Sequence, residues 1–185
     1  MNKKAVSGYL LILNYIGIFS ILIGFILLTP LTLLIFWPKE AQEAIYFIIP
    51  ALISFAFGIT ITLIFKGSYK EKLEHHQDAV LVVSIWLLAA LLSALPFYFS
   101  GDYSFSQAFF EATSGFTTTG LTVTDVENAS HIFLLFRSLM QFFGGVGLVL
   151  ILTSAISDKF GMRLYYAEGH NDKLLPNLIR SARMI

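Results

Sequence analysis

The chain has 185 residues, 56% of them hydrophobic and only 13% charged. A soluble domain carries roughly a quarter charged residues, so composition alone makes this an integral membrane protein. Twelve Lys and Arg balance twelve Asp and Glu, which implies no general attraction to nucleic acid, and the absence of cysteine removes disulfides and thiolate metal sites.

The first apolar run, residues 9–36, follows a basic start at Lys3 and Lys4 that resembles a signal peptide. It is far longer than a signal h-region and shows no small-residue cleavage site, so it is read as a retained first span. About 20 residues cross the hydrocarbon core, which predicts one long helix, with a kink or stop at Pro30. Asn14 within it marks either an ion path or a helix–helix hydrogen bond. Residues 37–43, WPKEAQE, are expected to form a short polar turn with an interfacial aromatic. Residues 44–65 form a second span containing Pro50 and Gly58.

The hydrophilic stretch 66–78, KGSYKEKLEHHQD, suits a loop or a short surface helix. His75 and His76 point about 100° apart on a helix and do not easily share a metal. A third span covers 79–99, and a fourth covers 132–156, with Arg137 near its start and Gly144, Gly145 and Gly147 in its middle. Those glycines suit either a hinge or close helix packing. The tail, 157–185, is polar and amphipathic, broken by Pro176. Placing the N-terminus in the cytoplasm puts ten of the twelve Lys and Arg inside, and leaves Lys39 and Arg137 outside. Both termini are then cytoplasmic and residues 100–131 face out.

Between the third and fourth spans lies FFEATSGFTTTGLTV, residues 109–123, too short and too polar to cross a bilayer. Residues 105–115 can make about three helical turns with Ser104 as N-cap, and Gly115 and Gly120 should keep residues 116–124 from continuing as helix. An exterior loop is the ordinary reading of Ser, Thr and Gly between spans. Such a loop has no reason to carry Phe105, Phe109, Phe110 and Phe116, however, and a short helix followed by a Thr/Gly strand is how a cation filter is built. Backbone carbonyls replace the ion's hydration shell and the helix C-terminus adds partial negative charge. Gly120 supplies a backbone conformation costly to other residues. Asp125, just outside, would raise the local cation concentration, though a single exposed carboxylate does little once screened by salt. A phosphate-cradling loop is disfavoured because no Lys follows the glycine.

Glu111 and Arg137 are the charges expected nearest membrane depth, where charges are costly and usually paired. They are expected to form a salt bridge bracing the short helix against the last span, with equal damage from mutation at either site and rescue on exchanging the charges.

FFEATSGFTTTGLTV followed by RSLMQFFGGVGLVL resembles the first pore repeat of the TrkH/TrkG/KtrB family of potassium uptake proteins. The first two spans, with LLTPL, resemble the lead-in helices of its Trk branch. The third span, with Trp86 and ALPF, resembles its first outer helix, and YYAEGHNDKLLPNLIRSAR resembles its cytoplasmic link toward a second repeat. The resemblance implies an all-α membrane fold of four transmembrane helices plus one re-entrant pore helix and filter loop. Lead-in helices would occupy residues 1–75, the first pore repeat 76–158 and a cytoplasmic linker 159–185.

It further implies a potassium-translocating subunit rather than an enzyme, with K+ as the transported ion, no covalent cofactor, and Thr117, Thr118, Thr119 and Gly120 as the potassium-binding filter. A cytoplasmic nucleotide-binding subunit of the TrkA/KtrA type is the implied partner. Complete members carry four repeats and this sequence holds one, so the remaining filter walls are expected from missing repeats or from further copies in a homo-oligomer. The linker-like tail favours the former. The competing expectation is a non-conducting fragment or accessory membrane subunit that packs with other repeats.

Overall fold

The computed structural model describes residues 3–65 and 75–147, and these residues are helical apart from their connections. Helix α1, Lys3–Leu28, passes into a 3-10 segment, Thr29–Ile35. Pro30 stands at the head of that segment. It lacks an N–H to donate back to the preceding turn, and the α-helix ends just before it as the sequence predicts. A second 3-10 segment, Pro38–Glu43, leads into α2, Ala44–Ile64. Residues 38–43 are therefore a wound element and not merely a polar turn, with Trp37 just outside it. Helix α3 is His75–Ser100 and starts earlier than the hydrophilic pattern suggested, so His75–Asp78 belong to the helix and not to the connector.

Helix α4 is Phe105–Phe116, and α5 is His131–Val146. Gly147 ends α5 with φ of 75°, the left-handed region in which glycine closes helices. The expected fourth span therefore reaches Val146 as described helix. The rest of it, and the tail, lie outside the described residues. Among the described residues, three helical stretches are long and apolar enough to cross a membrane: Tyr9–Ile35, Pro38–Ile64 and Val80–Ser100.

α1 and α2 pack along each other as a hairpin. Gly17 and Gly58 face across it so closely that a Cβ on Gly58 would stand 2.6 Å from the Gly17 carbonyl oxygen. Small residues that let backbones approach are how helices associate where lipid removes the hydrophobic drive. Asn14 lies in this seam, fully buried, and its amide donates to the Phe65 carbonyl at 3.2 Å. The helix–helix hydrogen bond is thus the role the structure gives it. Ser20 donates to the Ser54 carbonyl at 2.8 Å in the same seam.

The hairpin meets the rest of the molecule at an aromatic hub. Phe47 of α2 has its ring centroid 4.9 Å from that of Phe133 and 5.3 Å from that of Phe136, both on α5. Phe97 of α3 lies 5.3 Å from Phe133. Tilted and edge-on aromatic pairs of this kind add roughly 0.5–1.5 kcal/mol each beyond the area they bury.

Candidate functional site

Helix α4 begins with a reciprocal cap. The Ser104 hydroxyl accepts from the Gln107 N–H, and the Gln107 side-chain oxygen accepts from the Ser104 N–H at 2.9 Å. Such a box satisfies two orphan donors and fixes where the helix starts. The helix then runs back along α3. Phe105, at its start, meets Tyr98 near the end of α3, while Phe116, at its last residue, sits edge-on to Trp86 at 6.1 Å. Trp86 lies roughly 20 Å down α3 from Ser100 at 1.5 Å per residue. The C-terminus of α4 therefore points deep along a membrane-capable helix. The helix includes Gly115 and ends at Phe116, one residue beyond the sequence expectation, because Gly115 serves packing and does not break the turn. A Cβ there would meet Met140 Cβ of α5 at 2.9 Å.

From Thr117 the chain turns back. The Ser114 carbonyl accepts from the N–H groups of Thr119 and Gly120 at 3.1 and 3.4 Å, and the Ser114 hydroxyl donates to the Leu121 carbonyl at 2.6 Å. Thr118 takes φ of 56° and Gly120 φ of 76°. These two left-handed residues reverse the chain within four positions. The N–H groups of Thr117–Gly120 are drawn toward α4, and all four residues are exposed. Among the described residues, none donates a hydrogen bond to the carbonyls of Thr117, Thr118, Thr119 or Gly120. The Thr117 and Thr119 hydroxyls lie 2.8 Å apart, and Thr117 also donates to the Thr113 carbonyl at 2.8 Å. The four expected filter residues thus form an exposed ledge at the tip of α4 whose carbonyls meet no donor among the described residues.

Helix α5 backs this ledge. A Cβ on Gly144 would lie 2.0 Å from the Phe116 carbonyl oxygen, so α5 touches the end of α4 backbone to backbone. That contact assigns Gly144 to close packing and not to a hinge. Gln141 Nε2 lies 3.6 Å from where a Cβ on Gly120 would be, and Gly145 faces the Thr118 methyl at 3.6 Å by the same measure.

The returning segment is held by Glu111, which is fully buried. One carboxylate oxygen accepts from the Thr122 hydroxyl at 2.6 Å, the Val123 N–H at 2.5 Å and the Thr124 N–H at 3.1 Å. The other accepts from Arg137 Nε at 2.9 Å. A single carboxylate therefore ties α4, the returning segment and α5 together. Charge-assisted bonds of this kind are roughly twice as strong as neutral ones. The bridge between Glu111 and Arg137 is formed, and the remaining bonds of Glu111 argue against rescue by exchanging the charges. Arginine carries no acceptor, so at position 111 it would leave the Val123 and Thr124 N–H groups unanswered.

Asp125 lies beyond this network in an exposed turn, where its carbonyl accepts from the Ala129 N–H at 2.9 Å and its carboxylate from the Asn128 amide at 2.7 Å. Sequence reasoning missed Ser114, Thr122 and Gln141, which share the loop's neighbourhood without any charge or glycine to mark them. It also passed over Gln107, although a serine followed three residues later by glutamine is a readable cap signature.

These elements define an all-helical, multi-pass membrane protein in which long apolar helices support a short capped helix and a returning threonine–glycine loop. The family described as TrkH, cation transport protein, matches residues 45–183. The chain belongs to that family. An uncharacterized cation transporter of Methanocaldococcus jannaschii is 31% identical over 189 residues, taking in 100% of this chain and 38% of the relative. The Trk system potassium uptake protein TrkH of Escherichia coli is 32% identical over 125 residues, 63% of this chain and 26% of the relative. The Trk system potassium uptake protein TrkG of Escherichia coli is 31% identical over 169 residues, 86% of this chain and 34% of the relative. The chain spans about a quarter to two-fifths of the length of these relatives.

Proposed function

We infer that this chain supplies one wall of a potassium path in a Trk-type uptake system, with Thr117, Thr118, Thr119 and Gly120 offering backbone carbonyls to dehydrated K+. The observation that carries the reading is the ledge of four successive carbonyls without hydrogen-bond partners among the described residues, at the C-terminal end of a capped helix. Oxygens so exposed at membrane depth are costly unless they line a wet path or meet an ion, and the helix end adds partial negative charge toward a cation. The names of the relatives supply the ion.

In this reading α4 is a re-entrant pore helix entered from outside, and α3 and α5 are the outer and inner helices of a first pore repeat over residues 76–158. Residues 1–75 are the lead-in helices and 159–185 a cytoplasmic linker. The fourth span completes at 156, and the excess of Lys and Arg puts both termini in the cytoplasm. One ledge is one quarter of a four-walled filter, so further pore repeats, or further copies of this chain, complete the ring. A nucleotide-binding subunit of the TrkA/KtrA type docks on the cytoplasmic side.

The test is expression of the intact gene that encodes this chain in a bacterium lacking potassium uptake. Growth at low potassium and rubidium uptake are expected, and both should fall several-fold with Gly120→Ala. A side chain at φ of 76° costs about 1–2 kcal/mol, while the nearest side-chain atom to the new Cβ is 3.6 Å away. The substitution therefore perturbs the backbone and not the packing. Uptake unaffected by Gly120→Ala would remove the loop from the ion path.

A further inference from the structure

Helix α5 is capped from the wrong part of the chain. Ser130 occupies its N-cap position, yet that side chain makes no capping bond to the helix. Its hydroxyl instead donates to Glu43. The first two N–H groups of α5, those of His131 and Ile132, are taken by the Glu40 carboxylate at 3.1 and 3.2 Å. His131 Nδ1 also meets Glu40 at 2.6 Å, and the His131 ring stacks on Trp37 with centroids 4.2 Å apart. A helix start normally finds its acceptor in its own N-cap residue. Here the acceptors sit about ninety residues earlier, in the segment joining α1 to α2.

The first turn of α5 is thus held by the lead-in hairpin. The next turn contributes Phe133 and Phe136 to the aromatic hub, followed by Arg137 and its bond to Glu111. Beyond that fulcrum, Gly144 lies against the Phe116 carbonyl at the end of α4, while Gln141 and Gly145 lie nearest Gly120 and Thr118 of the ledge. An α-helix transmits tilt as a rod, and Gly144 stands about 18 Å along it from Ile132.

We propose that Trp37, Glu40 and Glu43 are positioning residues for the Thr117–Gly120 loop, setting through α5 how closely Gly144 closes on Phe116 at the loop's base and Gly145 on Thr118. The hairpin is then a built-in clamp on the pore repeat and not only a membrane anchor. The consequence for ion passage rests on the filter reading above, whereas the mechanical link does not, and the experiment separates the two.

Because the chain contains no cysteine, Thr119→Cys introduces a single thiol on the ledge. Its reaction rate with a small thiol-specific reagent is measured in membranes, without any ion flux. Glu40→Ala and His131→Ala are each expected to raise that rate about threefold or more, the scale on which losing a helix cap acts. Glu40→Gln, which keeps an acceptor oxygen for one of the two N–H groups, should return part of the way to the parent rate. If Glu40→Ala fails to accumulate, His131→Ala decides, since it leaves the backbone cap intact and removes the stack and the Nδ1 contact. Thiol rates unchanged in the surviving variants, even with a lowered melting temperature, would overturn the proposal and reduce the clasp to a local cap. A rate that rises while uptake by the intact gene is unaltered would sustain the mechanical link and count against the filter reading.

Discussion

Gly144→Ala is expected to unseat the tip of α4, while Gly145→Ala, one position on, is expected to be tolerated. At 144 the added Cβ would stand 2.0 Å from the Phe116 carbonyl oxygen and 2.7 Å from its carbon, so the obstacle is backbone and cannot swing aside. At 145 the nearest neighbour is the Thr118 methyl at 3.6 Å, an ordinary contact. Forcing a methyl into a filled site costs roughly 1–3 kcal/mol and more where backbone must shift, so about 3 kcal/mol is expected at 144 and under about 0.5 at 145. Thermal unfolding of the two purified variants in one detergent checks this. Trp86 fluorescence is a convenient probe, because that ring touches Phe116. Equal midpoints for the two variants would contradict the backbone contact.

The second large effect belongs to Glu111. Glu111→Ala removes the acceptor of four donors at once and leaves the Arg137 side chain, only 12% exposed, without its partner. Breaking a buried charge pair from one side costs roughly 3–5 kcal/mol. Arg137→Ala should cost less, about 1–3 kcal/mol, because the carboxylate keeps Thr122, Val123 and Thr124 as donors. The double exchange Glu111→Arg with Arg137→Glu should be no more stable than the worse single variant. A double-mutant cycle on unfolding midpoints measures this asymmetry. Recovery in the exchanged protein would mean that the salt bridge alone, and not the backbone donors, gives Glu111 its weight.

These two sites also mark where sequence stops being legible. The pairing of Glu111 with Arg137 follows from the cost of an unpaired charge at membrane depth, a rule that needs no coordinates. That Glu111 also serves Val123 and Thr124 does not follow, because backbone donors look alike at every residue. Gly144 and Gly145 are equivalent in a sequence, and only the approach of Phe116 separates them. The first three spans were readable from hydropathy because lipid imposes a length on any helix that crosses it, and Pro30 marked the end of α1 for a local steric reason. The start of α3 was placed too late because His75–Asp78 are polar and pattern cannot distinguish a polar first turn from a connector. The Glu40 clasp was invisible for a different reason. Glu40 and His131 are 91 positions apart and obey no local periodicity, so only tertiary packing brings them together.

The bonds to Glu111 carry a consequence for how the molecule breathes. Residues 121–123 have exposed side chains and no regular secondary structure, features that usually accompany fast solvent exchange. The Val123 and Thr124 amides nevertheless end on a carboxylate with no solvent exposure. Their hydrogens can be replaced by deuterium only when the α4 tip, the returning segment and α5 separate together. These two amides should therefore exchange at the slow rate of the helix interiors, while the Leu121 amide, which donates no such bond, exchanges fast. Mass spectrometry of deuterated peptides covering 117–126 would read this. The returning segment, loop-like in outline, opens only as part of the unit that holds it.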